Sequence, residues 1–175
     1  MGEDSTMTRK ILVPIDFSPC SDAALRHALT IADENGAEVE VLYVWSVDEP
    51  AARRGSAIFA DTPQGIAMEE LLSAAESDHA LRICGRLEFG DEPSRVILEI
   101  LERERFDMVV MGAEGQGNST SNNNSNTNEA NCEGHRAPDS GHVAANVVKT
   151  APCKVITTPP PGPPPAPSSA KIVAA

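Results

Sequence analysis

Three short stretches carry residue types that could do chemistry. Lys10-Ile-Leu-Val-Pro-Ile-Asp16 is an apolar run that ends in a carboxylate. Gly112-Ala-Glu-Gly115 directly follows a second apolar run, Asp107-Met-Val-Val-Met111. Glycines in such a place let the backbone approach a ligand closely and turn consecutive N–H groups towards an anion. Ser140-Gly141-His142-Val143 opens a helical pattern, and the free N–H groups and dipole of a helix start also favour phosphate. Two glycines after a strand are more often a tight turn than a phosphate cradle, so spacing alone leaves both readings open.

Positioning these groups requires strands and helices in strict alternation. The run from Lys10 to Asp16 reads as a buried strand, and Ser18-Pro19 as a helix N-cap with proline at the first helical position. Ala24, Leu25, Ala28, Leu29, Ile31 and Ala32 follow at helical spacing, with Asn35-Gly36 as the stop. Val39 to Val47 is a second strand, and Thr62-Pro63 starts a helix carrying Met68, Leu71, Leu72 and Ala75. Leu81, Ile83, Leu87 and Phe89 alternate along a third strand, with Gly85 as its weak point. Gly90-Asp-Glu-Pro93 opens a helix whose apolar side is Val96, Ile97, Ile100 and Leu101. Asp107 to Gly112 is the fourth strand. A helix capped by Ser140 carries Val143, Val147 and Val148, and Cys153 to Thr158 is the fifth strand. This order predicts an α/β fold, a doubly wound five-stranded parallel sheet, apolar on both sides and covered by helices on both faces. Such sheets hold ligands beyond the carboxyl ends of their strands, where strand order reverses. That directs attention to Asp16, Val44 to Val47, Gly90-Asp91 and Gly112 to Gly115.

The segments Ile11-Leu-Val-Pro-Ile-Asp-Phe-Ser18, Val41-Leu-Tyr-Val44, Gly90-Asp-Glu-Pro93, Val109 to Gly115, Gly141 to Val148 and Ala151-Pro-Cys-Lys-Val155 occur in that order. Together they make the chain resemble the universal stress protein family, over about Lys10 to Thr158. The resemblance implies a five-stranded, adenine-nucleotide α-hydrolase-like α/β domain, usually dimeric. In one subclass it implies an ATP site, with Mg2+, on the motif G-x2-G-x9-G-[ST]. Carried over, it places Asp16 near adenine and ribose with Pro14 and Ile15 beside it, and Val44 with its backbone facing the adenine. Met111, Gly112 and Gly115 match the first half of the phosphate loop, and Gly141, His142 and Val143 the second. Two features depart from that motif. Its nine-residue spacer is 25 residues here, Gln116 to Ser140, and His142 stands where a hydroxyl residue is expected. A longer loop adds little entropic cost, about 0.6 kcal/mol per doubling. Histidine can also donate to a phosphate oxygen, but from a bulkier side chain.

The rest of the 175 residues is organised around that domain. Met1–Thr8 is a polar start, expected to be an unstructured extension, and the domain spans residues 9–158. An Asn/Ser-rich insert occupies Gln116–Asp139, and Pro159–Ala175 is a Pro-rich tail suited to extended polyproline II. The remaining 126 residues suffice for one core and exclude a pair of enzyme domains. Met1 to Thr6 also fits the loose M-G-x-x-x-[ST] lipidation pattern, too short a string to carry weight. The start has neither the basic nor the apolar region of a signal peptide, and no apolar run is long enough for a membrane span. Net charge is −12, with no cationic cluster longer than Arg53-Arg54, so nucleic-acid binding through a basic face is not expected. Four scattered cysteines without C-x-x-C suit reduced thiols in a cytoplasmic chain.

Other chemistries fit less well. Cys132, His135 and His142 have a loose metal-ligand spacing, but two of them fall in the segment without periodicity, so no metal site is expected. Asp16 ends the first strand, not the third, and the fifth strand ends in Thr157-Thr158 without a Lys; a phosphoacceptor receiver site is therefore not expected. His27 and His79 fall on helices, Cys20 and Cys153 read as small packing residues, and no nucleophile–base pair emerges. Catalysis is not expected beyond a weak ATPase. Two functions stand: a stress-response regulator that binds ATP or another adenine nucleotide as a homodimer through its last strand, and a non-nucleotide interaction module that works through the insert or tail. No protein partner is identifiable.

Overall fold

A computed structural model describes residues 8–46, 56–115 and 141–159. The elements alternate as expected. They are β1 (Lys10–Ile15), α1 (Pro19–Asn35), β2 (Glu38–Trp45), a 3₁₀ turn (Ser56–Asp61), α2 (Pro63–Asp78), β3 (Ile83–Phe89), α3 (Pro93–Arg103), β4 (Met108–Gly112), α4 (Gly141–Thr150) and β5 (Lys154–Thr158). All strands are parallel, in the order β3-β2-β1-β4-β5. Among the described residues no helix is long and apolar enough to cross a membrane.

Local signals fix the helix ends. Ser18 has extended backbone, and its hydroxyl accepts the Ser21 N–H at 3.2 Å, with Pro19 in the first turn. Gly36 ends α1 at φ 64°, the left-handed conformation that costs glycine nothing. Thr62 caps α2 by accepting the Gly65 N–H at 3.1 Å. His79, expected on a helix, is instead the residue that ends α2, with its Nδ1 against the Asp33 carboxylate. The fourth strand begins one residue later than expected. The Asp107 carboxylate accepts the N–H groups of Arg9 and Lys10, at 2.8 and 3.0 Å, and so ties the starts of β1 and β4. Gln116–Asp139, the Ser140 cap, the polar start through Met7 and the tail beyond Pro159 lie outside the described residues.

The alternation of side chains along each strand divides the core in two. Ile11, Val13, Val39, Val41 and Val110 face α1 and α2; Leu12, Leu42, Val109 and Met111 face α3 and α4. The expectation that every strand is apolar on both sides fails at Glu40, which is buried in the middle of β2. A carboxylate there needs partners. Lys10 Nζ lies 2.9 Å from it and Arg86 donates at 3.0 Å; both cations also reach Glu104, and Arg86 reaches Glu88. A Cβ on Gly85 would meet Leu72 Cδ1, the end of a flexible side chain, at 2.6 Å, so β3 runs close to α2 there.

β1 pairs with β2 along its whole length but with β4 only at Ile11 and Leu12. Pro14, which has no N–H to donate, lies just beyond the last of those pairs. The two strands separate where the chain's order reverses, and a crevice opens between them.

Candidate functional site

A cleft of about 260 Å³ lies over the carboxyl ends of β1, β2 and β4. β1 contributes Pro14 and Ile15, and Asp16 follows them. Asp16 Oδ1 accepts the Ser18 N–H at 3.0 Å, which folds the chain into the start of α1. Between them Phe17 sits at φ 59°, a conformation uncommon for a bulky side chain. Its ring is held 5.2 Å from Tyr43, which stacks on Phe59; Phe59 packs on Trp45, and Trp45 stacks on Phe89. Five of the six aromatic residues thus form one string beside the cleft.

The far wall comes from β4 and the helices behind it. Gly112, Glu114 and Gly115 line the cleft after β4, and Val143 and Ala144 line it from α4. The end of β4 is tightly held. Ala113 donates to the Thr158 carbonyl at 2.9 Å, and the Thr158 hydroxyl lies 3.2 Å from the Cys20 carbonyl and 3.4 Å from that of Met111. A Cβ on Gly112 would fall 2.8 Å from Cys20 Cβ, so glycine is needed there for packing against α1, whatever the cleft holds.

Seven of the residues singled out from sequence line this one cleft: Pro14, Ile15, Asp16, Val44, Gly112, Gly115 and Val143. Met111 does not; it is buried beneath, among the residues facing α3 and α4. Gly141 begins α4 without being part of the lining, and the His142 side chain lies outside what is described. The sequence reading missed Ser21, Leu42, Tyr43, Pro93, Ile97 and Ala144, while Glu114 lies within the stretch Gly112 to Gly115 to which it pointed. Leu42 and Tyr43 adjoin Val44 and could have been found from the strand. Ile97 was read only as core, because nothing local marks a helix residue whose one edge meets a crevice.

Among the described residues the cleft offers apolar walls, two carboxylate residues and backbone. The Ser21 hydroxyl donates to the Ser18 carbonyl at 2.9 Å, and no His lines the cleft among the described residues. Among those residues no group of three or more His, Cys, Asp or Glu could hold a metal ion. Cys132 and His135 lie outside them. Cys20 is buried in α1 and Cys153 packs half-buried against the second core.

Five parallel strands with a reversal of order at β1 and a cleft at that reversal define a doubly wound α/β domain. The family model described as the universal stress protein family matches residues 7–159, and the chain belongs to that family. A universal stress protein of Methanocaldococcus jannaschii is 29% identical over 167 residues, which span 87% of this chain and 83% of that protein. Among solved structures, the universal stress protein UspA from Lactobacillus plantarum has 25% identity and a TM-score of 0.62, covering 86% of this chain and 97% of its own. A universal stress protein family protein from Arabidopsis thaliana, solved with AMP bound, has 19% identity and a TM-score of 0.57, covering 88% and 93%.

Proposed function

We propose that this universal stress protein binds an adenine nucleotide in the cleft and works as a nucleotide-responsive stress regulator. In this reading Asp16 and the Val44 backbone hold adenosine, with Pro14 and Ile15 beneath it. Gly112, Gly115, Gly141 and the Val143 backbone hold phosphate, ATP being bound with Mg2+. The observation that supports it is the convergence, from four separate segments between Pro14 and Val143, of seven such residues on one cleft at the reversal of strand order. The AMP bound by the Arabidopsis relative is in keeping with that choice of ligand. The protein acts by binding, with at most a weak ATPase. A cytoplasmic homodimer is part of the same proposal. β5 is an edge strand with one neighbour in the sheet and its Val155 and Ile156 half exposed, which leaves an edge for a second copy.

The test is direct. Purified protein is denatured and the supernatant assayed for adenine nucleotide, and ATP with Mg2+ is then titrated by calorimetry. Trp45, the single tryptophan, is joined to Tyr43 of the cleft through Phe59, so its emission provides a second readout. Released nucleotide, or saturable heat that Gly115→Val abolishes, is the expected result. No released nucleotide and no heat at millimolar ATP would end the proposal.

A further inference from the structure

We propose that a groove beside β3 is a docking site for an extended, cationic segment of a partner protein, which adds to the sheet as a further strand. The inference does not depend on the nucleotide reading. β3 is the edge of the sheet opposite β5, with β2 as its sole neighbour among the described residues. The Val39 N–H is given to the Arg82 carbonyl and the Gly90 N–H to that of Trp45, with β3 paired in register along its length between them. Bonds to one neighbour in a parallel ladder come from alternate residues of a strand. The even-numbered residues of β3 therefore bond to β2, and Gly85 and Leu87 turn their N–H and C=O groups to the open edge.

The groove, of about 510 Å³, lies between that edge and α2. Met68, Leu72 and Leu87 make it apolar, and the last two are only half-buried. Glu69 and Glu76 line it as well; both are exposed, and neither enters an ion pair among the described residues. Arg86 also borders the groove, but its guanidinium is held by Glu40, Glu88 and Glu104. An open edge offers main-chain hydrogen bonds to any strand, and the side chains beside it set which strand fits. Here they call for an apolar residue flanked by two cations. Glu69 and Glu76 are two turns apart on α2, about 10.5 Å along its axis. In a strand the side chains at i and i+4 share one face about 13 Å apart, a difference that flexible lysine stems take up. The segment that fits is cation-x-apolar-x-cation, and the net charge of −12 draws it in.

The probe is the peptide Thr-Lys-Thr-Val-Thr-Lys-Thr, acetylated and amidated, titrated by calorimetry into the full chain at two salt concentrations. Saturable binding is expected, roughly fivefold or more tighter than for a scrambled peptide of the same composition. N-methylation at alternate peptide positions blocks the backbone donors along one edge of a strand. One such set is expected to abolish binding and the other to leave it. Glu69→Gln/Glu76→Gln alters two exposed side chains and should keep the wild-type Tm. It is expected to weaken the probe about fivefold to tenfold at low salt, and less at high salt. No heat at millimolar probe, equal binding of the scrambled peptide, equal effects of the two N-methyl sets, or unchanged affinity of the double variant would each overturn the proposal. Two further results would overturn it by naming a different occupant. A clear gain in affinity on Arg53→Ser/Arg54→Ser, or on removal of residues 160–175, means that this chain's own cations hold the groove. Affinity that falls as protein concentration rises means that a second copy does.

Discussion

Gly112→Ala tests whether the floor of the cleft is set by packing. Gly112 is not in a positive-φ conformation, so the backbone itself tolerates alanine. The obstacle is space: the added Cβ would lie 2.8 Å from Cys20 Cβ, 3.1 Å from the Cys20 carbonyl carbon and 3.2 Å from the Glu114 carbonyl oxygen. Carbon atoms pack best at about 3.5–4.0 Å, so α1 and the end of β4 must part by roughly 0.7 Å or more. Cys20 cannot yield as a flexible side chain would, because its carbonyl is held by the Thr158 hydroxyl and two of the three contacts are to backbone. Overpacking of this kind typically costs about 1–3 kcal/mol. At about 3 °C per kcal/mol for a domain of this size, 2 kcal/mol lowers Tm by about 6 °C. Trp45 is 1% exposed and the only tryptophan, so its emission reports global unfolding without a label. The double variant Cys20→Gly/Gly112→Ala removes the shortest contact. It should be less destabilised than the sum of the singles by about 1 kcal/mol, even though glycine in a helix costs about 1 kcal/mol by itself. A single variant that melts within about 1 °C of the wild type, or strict additivity of the pair, would refute the packing account.

Three further outcomes follow from the same geometry. Glu40→Ala leaves Lys10 and Arg86 with only Glu104 and Glu88; because both cations keep some solvent contact, the loss is expected at about 2 kcal/mol, below the usual cost of breaking a fully buried pair. In urea that is a shift of about 1 M in the unfolding midpoint. Glu104→Gln removes a carboxyl whose pKa is held below its usual 4.5, chiefly by the hydrogen bond from Arg86; partial burial opposes this, and the hydrogen bond from Lys10 adds to the lowering. A depressed folded-state pKa adds stability above the unfolded value and loses it as pH falls through the folded one. The variant should therefore be less stable than wild type at pH 7, and converge on it as pH falls through the lowered folded-state pKa, by urea titration at each pH. Ser18→Ala strips the cap from α1 and leaves the Ser21 N–H without its acceptor, for a loss of about 1 kcal/mol by thermal unfolding.

The sequence by itself determined the elements, because their signals are local. Ser18-Pro19, Thr62-Pro63 and Asn35-Gly36 are read by the chain within a single turn of helix. The apolar runs of β1 and β4 are continuous because both faces of a central parallel strand are covered. The residues at strand ends were legible as a candidate site for the same reason: in a parallel sheet every strand delivers its last residue to one edge. What only the tertiary structure decided is which distant side chains share that edge or that face. Glu40 sits in the run Val39-Glu-Val-Leu-Tyr-Val44, and nothing nearby announces its partners. They arrive because the register sets Lys10 on one neighbouring strand and Arg86 on the other, and α3 brings Glu104 across them. Ile97 and Pro93 join the cleft because α3 crosses the sheet where β1 and β4 part. Gly112 looked like a place for phosphate, and packing makes it first a place where Cys20 leaves no room for a Cβ. Periodicity and caps act over a few residues, whereas burial, charge pairing and close approach are properties of surfaces that meet only when the sheet is assembled.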